Sequence, residues 1–225
     1  MSKNVLFVLT SHEKGWYLPE FAHPYHHVTA AGHHVTVCSI SGGDTTPTPA
    51  SLTVDSEKDP VGADFLSSKM GLAKATIKVS DVKGSDFDCV FYVGGHGCCW
   101  DFTSDDACAV GASCYDNGGV VAAVCHGPAA LVNMKLASGS FLVEGKECCG
   151  FTNEEENMCV DVVDIIPVHP ELGTKYLEEL LTKRGGRYSK ADPWNPLFVK
   201  DGRLITGQNP ASADGVGKLI VEALA

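Results

Sequence analysis

The sequence contains 225 residues, of which 44% are hydrophobic and 20% are charged, and its formal net charge is −11 at pH 7. This composition is typical of a folded chain with a sizeable apolar core, and the acidic balance argues against nucleic acid or an anionic membrane surface as a partner, because both require basic patches. No apolar run approaches the roughly 18 residues of a membrane span, so we expect a cytoplasmic protein, with the nucleus as a second location.

Short apolar runs alternate with helical patterns along the chain, which predicts an α/β fold with a mostly parallel sheet and helices on both faces. The predicted strands are Val5–Thr10, Val35–Ser39, Cys89–Val93, Val120–Val124, Phe198–Lys200 and Leu204–Thr206. The predicted helices are Glu20–Ala31, a short one at the end of Lys58–Leu72, Asp105–Asn117, Gly127–Leu136, Pro170–Arg184 and Ala211–Ala225. Residues 42–60 are rich in Gly, Thr, Pro and Ser and predict a long surface loop. Without a repeat or a second composition regime, residues 1–225 are expected to form one domain.

Ten cysteines occur in the chain, but no C-x-x-C motif does, so neither a zinc ribbon nor a thioredoxin-type site is indicated. Cys98 and Cys99 are adjacent, as are Cys148 and Cys149, and neighbouring cysteines rarely bridge each other. We therefore interpret most of the ten as small buried hydrophobic residues. Cys125 is the exception.

The segment around Cys125 predicts a sharp turn from a strand into a helix. The apolar run Val120–Val124 leads into it, small residues surround it, and Pro128 stands where the first turn of a helix tolerates proline. The arrangement is similar to the nucleophile elbow G-x-S-x-G, with Ala123 for the first glycine and Cys125 for the serine. The N–H groups at the start of the helix are expected to lower the pKa of the thiol toward neutrality and so favour a thiolate.

Two backbone N–H groups are candidates for holding an oxyanion beside Cys125. One belongs to His126, and the other to Gly95, because Gly94 and Gly95 end the neighbouring strand and allow close backbone approach. Ligands of open α/β sheets bind at such carboxyl ends of strands. His96 is expected at the mouth of this pocket, with a purely structural role as its alternative. The alternative for the turn itself is a buried core cysteine followed by a capping histidine.

Three motifs stand out together in the sequence, namely Gly94-Gly95-His96-Gly97-x-x-Trp100-Asp101, Ala123-Val124-Cys125-His126-Gly127-Pro128 and Thr206-Gly207-Gln208-Asn209-Pro210-Ala211-Ser212. They resemble the DJ-1/PfpI superfamily, and more closely its Hsp31-like, glutathione-independent glyoxalase branch. The resemblance extends over nearly the whole chain. It implies a flavodoxin-like three-layer sandwich, conversion of methylglyoxal and water to D-lactate, and a homodimer.

The same resemblance implies roles for four side chains. It makes Cys125 the nucleophile, His126 its proton-transfer partner and Glu20 the buried acid beside the thiol. Glu156 matches the acidic residue that orients the histidine, although the two glutamates before it leave that choice open. Together they imply a D-lactate dehydratase of the glyoxalase III type, a lyase acting on a small dicarbonyl compound.

The implied reaction begins when the Cys125 thiolate adds to the aldehyde and forms a hemithioacetal. A proton then moves to the neighbouring carbon through an enediol, and the resulting thioester is hydrolysed. Because this redox change is internal to the substrate, we expect neither a cofactor nor a catalytic metal. The alternatives are a stress-related holding chaperone, a protein deglycase, a thiol hydrolase with the same side chains, and oxidative sensing by Cys125 itself.

Four histidines near the N-terminus leave a further possibility open. His23, His26 and His27 are spaced so that two imidazoles share a helical face, and His12 could join them in a metal site. Solvent-facing or helix-packing histidines are the commoner alternative.

Overall fold

A computed structural model of the chain describes all 225 residues and contains a central sheet of seven strands. The strands, in chain order, are β1 (Asn4–Leu9), β2 (His34–Ser39), β3 (Ile77–Lys78), β4 (Cys89–Tyr92), β5 (Val120–Val124), β6 (Glu147–Cys148), β7 (Arg187–Tyr188), β8 (Phe198–Asp201) and β9 (Leu204–Gly207). The central sheet has the order β3-β2-β1-β4-β5-β9-β8, and only β8 is antiparallel to its neighbour. β6 and β7 form a separate two-stranded sheet.

Eight α-helices surround the sheet: α1 (Leu18–Ala30), α2 (Pro60–Ser68), α3 (Cys98–Asp101), α4 (Asp105–Asp116), α5 (Ala129–Val132), α6 (Asn153–Met158), α7 (Leu177–Lys183) and α8 (Ala213–Leu224). α1 packs against α2 and α8, and α4 packs against β4 and β5. The helices all fall short of the length and hydrophobicity that a bilayer crossing demands.

The middle strands form the core of the molecule. Every residue of β4, β5 and β9 is buried, as are five of the six in β1. Such continuous apolar runs are expected where helices cover both faces of a parallel sheet. The predicted α/β sheet is therefore confirmed, and its parallel register brings the carboxyl ends of β4 and β5 to the same edge.

Two predicted helices are wrong in extent. Within Gly127–Leu136 only α5 is helical, because residues 125–128 form turns and Lys135 pairs with Phe141 just after the helix. Within Pro170–Arg184 the helix begins only at α7. A loop precedes it, closed by a hydrogen bond of 2.9 Å from the His169 N–H to the Thr174 carbonyl.

The predicted surface loop at residues 42–60 is fastened to the start of α1. Trp16 forms an isolated parallel bridge with Pro47, and the Thr48 N–H donates to the Trp16 carbonyl. A short 3₁₀ helix, Pro49–Leu52, follows within the loop. These contacts bring Thr48 and Ala50 to the carboxyl edge of the sheet, where they line a cavity.

Candidate active site

Cys125 occupies a strained turn directly after β5. Its φ angle is +59°, in the left-handed region that non-glycine residues seldom adopt. The Cys125 N–H donates to the Gly207 carbonyl at 2.9 Å, and the Cys125 carbonyl accepts from the Phe151 N–H at 2.9 Å. A Cβ at position 127 would lie 2.3 Å from the Tyr92 carbonyl oxygen, so the turn requires Gly127. The backbone thus has the geometry of a nucleophile elbow.

The structure joins three of the predicted residues into one chain of contacts. Nδ1 of His126 lies 3.4 Å from the Cys125 sulfur, and Nε2 of His126 lies 2.7 Å from a carboxylate oxygen of Glu156. An ionised carboxylate only accepts hydrogen bonds, so Nε2 of His126 must carry a proton. In the neutral ring Nδ1 is then unprotonated and faces the thiol as an acceptor.

Glu156 bridges two imidazoles. Its second carboxylate oxygen lies 3.2 Å from Nε2 of His96, and the ring centroids of His96 and His126 are 4.4 Å apart. Burial alone would raise the pKa of Glu156, but the charges and hydrogen bonds of His126 and His96 outweigh it and lower that pKa to about 2. Burial, helped by the charge of His126, lowers the pKa of His96 despite Glu156. Glu156 therefore stays ionised at neutral pH.

The two glutamates that precede Glu156 point elsewhere. Glu155 is buried and accepts hydrogen bonds from the backbone N–H of Trp194 and from the side chains of Thr152, Gln208 and Asn209. Glu154 is exposed and pairs with Lys190. Of the three glutamates that the sequence left open, only Glu156 contacts His126.

Glu20 approaches Cys125 from the first turn of α1. The side chain is fully buried and faces the Cys125 sulfur and the Gly94 N–H, but neither carboxyl oxygen forms a regular hydrogen bond. A Cβ at position 94 would lie 2.2 Å from an oxygen of Glu20 and 2.8 Å from Cβ of Cys125, so only glycine fits between them. Burial holds the pKa of Glu20 well above its usual range, and the carboxyl is therefore neutral.

The expected lowering of the Cys125 thiol pKa is wrong for the free protein. Burial is the main cause, with the Glu20 carboxyl beside the thiol as the next one, and together they raise that pKa well above its usual range. α5 is a single turn, and the sulfur lies in a dry environment that disfavours charge. A thiolate would thus form by proton transfer to Nδ1 of His126, with the neutral Glu20 carboxyl as a hydrogen-bond donor beside it.

The two predicted oxyanion donors are backbone groups of residues that line the cavity. Neither the Gly95 N–H nor the His126 N–H donates to an acceptor within the protein, and both residues line the same cavity as Cys125. Gly95 has a φ angle of +121°, and a Cβ there would lie 2.5 Å from the Gly15 carbonyl oxygen. Position 95 therefore admits only glycine. The N–H groups of Gly95 and His126 both remain free to donate to a ligand.

The cavity above the sulfur has a volume of about 330 Å³. Besides the predicted residues, it is lined by side chains that the sequence analysis missed, chiefly Tyr17, Phe151, Met158, Cys159 and Trp194. Their positions in the chain show no periodic pattern, and only the fold brings them together. A larger concavity of about 570 Å³ lies at the opposite, amino edge of the strands and contains no cysteine or histidine.

His96, His126 and Glu156 are also the one set of side chains with a possible metal-binding geometry, since their ligand atoms lie within 4.8 Å of one another. The hydrogen bonds of Glu156 to both imidazoles already account for this arrangement.

Three of the four remaining predicted metal candidates are engaged in other contacts, and the fourth, His26, is exposed on α1. His23 pairs with Asp59 at 3.2 Å, and His27 pairs with Asp214 at 2.7 Å. His12 stacks on an indole ring. These contacts tie α1 to α2 and α8, which is the helix-packing alternative.

A sequence model of the DJ-1/PfpI family matches residues 3–223. The chain belongs to the DJ-1/PfpI family. Glyoxalase 3 of Candida albicans is 32% identical to it over 231 residues, which cover 99% of this chain and 94% of that protein. Glutathione-independent glyoxalase HSP31 of Saccharomyces cerevisiae is 33% identical over 237 residues, which cover 99% of this chain and 98% of that protein. The resemblance to Hsp31-like members of the DJ-1/PfpI family is thereby confirmed.

Solved structures confirm the DJ-1/PfpI fold of the chain. The Rapid Encystment Protein REP24 of Francisella tularensis superposes with a TM-score of 0.89 at 32% identity, covering 99% of both chains. The glyoxalase III of Candida albicans superposes with a TM-score of 0.84 at 28% identity, covering 98% of this chain and 97% of that chain. The predicted flavodoxin-like α/β architecture is correct.

Proposed function

We propose that this protein is a glutathione-independent glyoxalase that converts methylglyoxal and water to D-lactate, a D-lactate dehydratase of the lyase class. The observation that carries the proposal is the contact chain from the Cys125 sulfur through His126 to Glu156, which opens into a cavity at the carboxyl edge of the sheet. Relatives over the full length of the chain are named glyoxalase 3 and glutathione-independent glyoxalase, which supports the same reaction here.

In the first step, Nδ1 of His126 accepts the thiol proton and the Cys125 sulfur adds to the aldehyde carbon of methylglyoxal. The product is a hemithioacetal whose oxyanion is held by the free N–H groups of Gly95 and His126. The ionised Glu156 stabilises the imidazolium that forms, as a carboxylate does in other nucleophile–histidine–acid arrangements.

In the second step, the imidazolium of His126 first gives its proton to the oxyanion of the hemithioacetal and is neutral again. Neutral His126 then accepts the former aldehyde hydrogen as a proton, and this proton reaches the adjacent carbon through an enediol. The former aldehyde carbon is then a thioester, and the former ketone carbon carries a hydroxyl group. Hydrolysis by water releases lactate and restores the Cys125 thiol. Electrons move only within the substrate, so the sequence of steps balances without an external oxidant or reductant. Glu20, as a neutral donor, would position the sulfur.

The proposal is tested by incubating the purified protein with methylglyoxal in the absence of glutathione and resolving the enantiomers of lactate. D-lactate as the sole product supports the stereospecific reaction. Racemic lactate, or no lactate, would contradict it.

The expected homodimer, the single domain and the cytoplasmic location stay predictions. Sedimentation equilibrium of the purified chain tests the first, limited proteolysis the second, and fractionation of source cells the third.

A further inference from the structure

The cavity above Cys125 is much larger than methylglyoxal requires. Methylglyoxal carries only a methyl group beside its two carbonyls, whereas a volume of about 330 Å³ falls among cavities that hold drug-sized ligands, about 300–1,000 Å³. Once an aldehyde is placed at the sulfur, most of the space remains over the substituent on the other carbonyl.

That remaining space has an aromatic wall. The ring centroids of Phe151 and His126 are 4.4 Å apart. The ring centroids of Trp194 and Phe151 are 5.7 Å apart, with an angle of 67° between the ring planes. The indole N–H donates to the sulfur of Met158 at 3.2 Å. The wall thus runs from the reacting imidazole to the rim of the cavity, with Trp194 at its outer end.

Trp194 is held at the rim at a conformational cost. Its φ angle is +65°, a strained value for a bulky residue. Its backbone N–H donates to the buried Glu155 at 2.9 Å, and Gln208 and Asn209 anchor the same carboxylate oxygen. Yet Trp194 is 48% exposed to solvent, so packing in the core does not account for the position of its indole. Strain of this kind is found where a side chain serves a ligand site.

The charge of the lining indicates what such a ligand carries. No lysine or arginine lines the cavity, and Asp161 is the one acidic residue at its mouth. A phosphate or carboxylate on the substituent would find no cation there and would face a like charge. The lining therefore fits a neutral, apolar substituent.

Resting on the proposed glyoxalase function, we propose that Trp194 is a specificity-determining residue and that this enzyme accepts neutral 2-oxoaldehydes with an aromatic substituent. The aryl group would lie along the wall formed by Phe151 and Trp194, with the aldehyde carbon at the Cys125 sulfur. The chemistry is unchanged, since the aldehyde hydrogen again moves to the adjacent carbon as a proton through an enediol, and hydrolysis of the thioester gives the corresponding 2-hydroxy acid.

The test compares phenylglyoxal with methylglyoxal on the wild-type protein and on Trp194→Ala, Trp194→Phe and Phe198→Ala. Phe198 is a matched control, because it is 42% exposed and lies outside the cavity. We expect wild type to convert phenylglyoxal to mandelate. Trp194→Ala should raise KM for phenylglyoxal by about tenfold with little change in kcat, since an aromatic contact gives uniform binding. Trp194→Phe should recover most of this loss, Trp194→Ala should lose less toward methylglyoxal than toward phenylglyoxal, and Phe198→Ala should leave the kinetics of both aldehydes nearly unchanged.

The outcomes separate the inference from the proposed function. Turnover of methylglyoxal without turnover of phenylglyoxal would overturn the inference alone. So would an equal loss toward both aldehydes in Trp194→Ala, or a KM change in Phe198→Ala as large as that in Trp194→Ala. Absence of 2-hydroxy acid from either aldehyde in wild type would overturn the proposed function itself.

Discussion

The carboxylate of Glu156 lies 2.7 Å from Nε2 of His126 and so directs the opposite nitrogen of the ring toward the neighbouring thiol. The two residues are thirty positions apart in the chain, and the adjacent Cys125 and His126 could not by themselves define which ring nitrogen is protonated. The acid on α6 therefore determines the tautomer of the base.

Glu156→Gln is expected to lower kcat by roughly 10²–10⁴-fold, the range that a correctly positioned general base contributes. The amide can donate as well as accept, so it no longer enforces a proton on Nε2 of His126. Steady-state kinetics with methylglyoxal measure the effect. Glu154→Gln is the matched control, because Glu154 lies two residues before Glu156 and is exposed, and it should retain wild-type kcat. Similar kcat values for both variants would contradict the assigned role of Glu156.

Acid should destabilise the wild-type protein through Glu156. Its pKa in the folded state is lowered from 4.5 to about 2, so the stabilisation is complete above pH 4.5 and is lost as pH falls through this interval. The shift corresponds to roughly 3 kcal/mol of unfolding free energy as an upper value. Urea unfolding of wild type and Glu156→Gln between pH 5 and pH 2.5 tests this. A stability difference that is independent of pH would show that the carboxylate is not held ionised.

Cys125→Ser should reduce methylglyoxal turnover by roughly 10³-fold or more, because a serine hydroxyl beside this imidazole is a far weaker nucleophile toward the aldehyde. The matched variant is Cys159→Ser, which alters a second thiol lining the same cavity and should remain active. Mass spectrometry of protein quenched during turnover should find the substrate mass on Cys125. Substantial turnover by Cys125→Ser would exclude covalent catalysis by this thiol.

Glu20→Gln should lose activity and yet gain stability relative to wild type as pH rises. The pKa of Glu20 is raised in the folded state, so the unfolded chain releases this proton first above its ordinary value near 4.5, and wild type is weakened by about 1.4 kcal/mol per pH unit. Glutamine carries no such proton. Chemical denaturation of both proteins from pH 4.5 to pH 7 measures the slope, with Glu13→Gln as the comparison variant at an exposed position. Parallel pH profiles would mean that Glu20 is ionised in the fold.

Gly94→Ala should destabilise the protein by about 1–3 kcal/mol and impair turnover, since the added carbon would lie 2.4 Å from the Val124 carbonyl oxygen and 2.2 Å from Glu20. The Val124 carbonyl belongs to the backbone of β5 and cannot shift easily, so the Glu20 side chain would have to move away from Cys125. Gly71→Ala is the control, because no atom lies within 4 Å of its added carbon. Thermal unfolding and kinetics of the two variants should differ, and equal behaviour would contradict the tight contact.

The sequence predicted the sheet and the elbow because both depend on local pattern. The run Val120–Val124 matches β5 residue for residue. α6 could also have been predicted, since Thr152 and Glu155 form a capping box of the T-x-x-E type. Glu20 and Glu156 could be assigned to the site only through the family resemblance. They are far from Cys125 in the sequence, and only the fold brings them near it.

Properties that depend on burial in the folded protein could not be predicted from local sequence patterns. The raised pKa of the Cys125 thiol follows from the burial of its turn, whereas the sequence suggested only a favourable helix terminus. The strained backbone of Trp194 and its place at the cavity rim depend on Glu155, which is thirty-nine positions away.

The backbone of Cys125 forms hydrogen bonds with two later parts of the chain, Phe151 before α6 and Gly207 at the end of β9. A polypeptide emerging from the ribosome therefore carries its reactive thiol long before it carries the geometry that makes the thiol competent. A chain that stops before β9 would keep Cys125 and its neighbouring imidazole but lose the acceptor that sets the turn. We therefore expect a chain truncated before β9 to show no turnover.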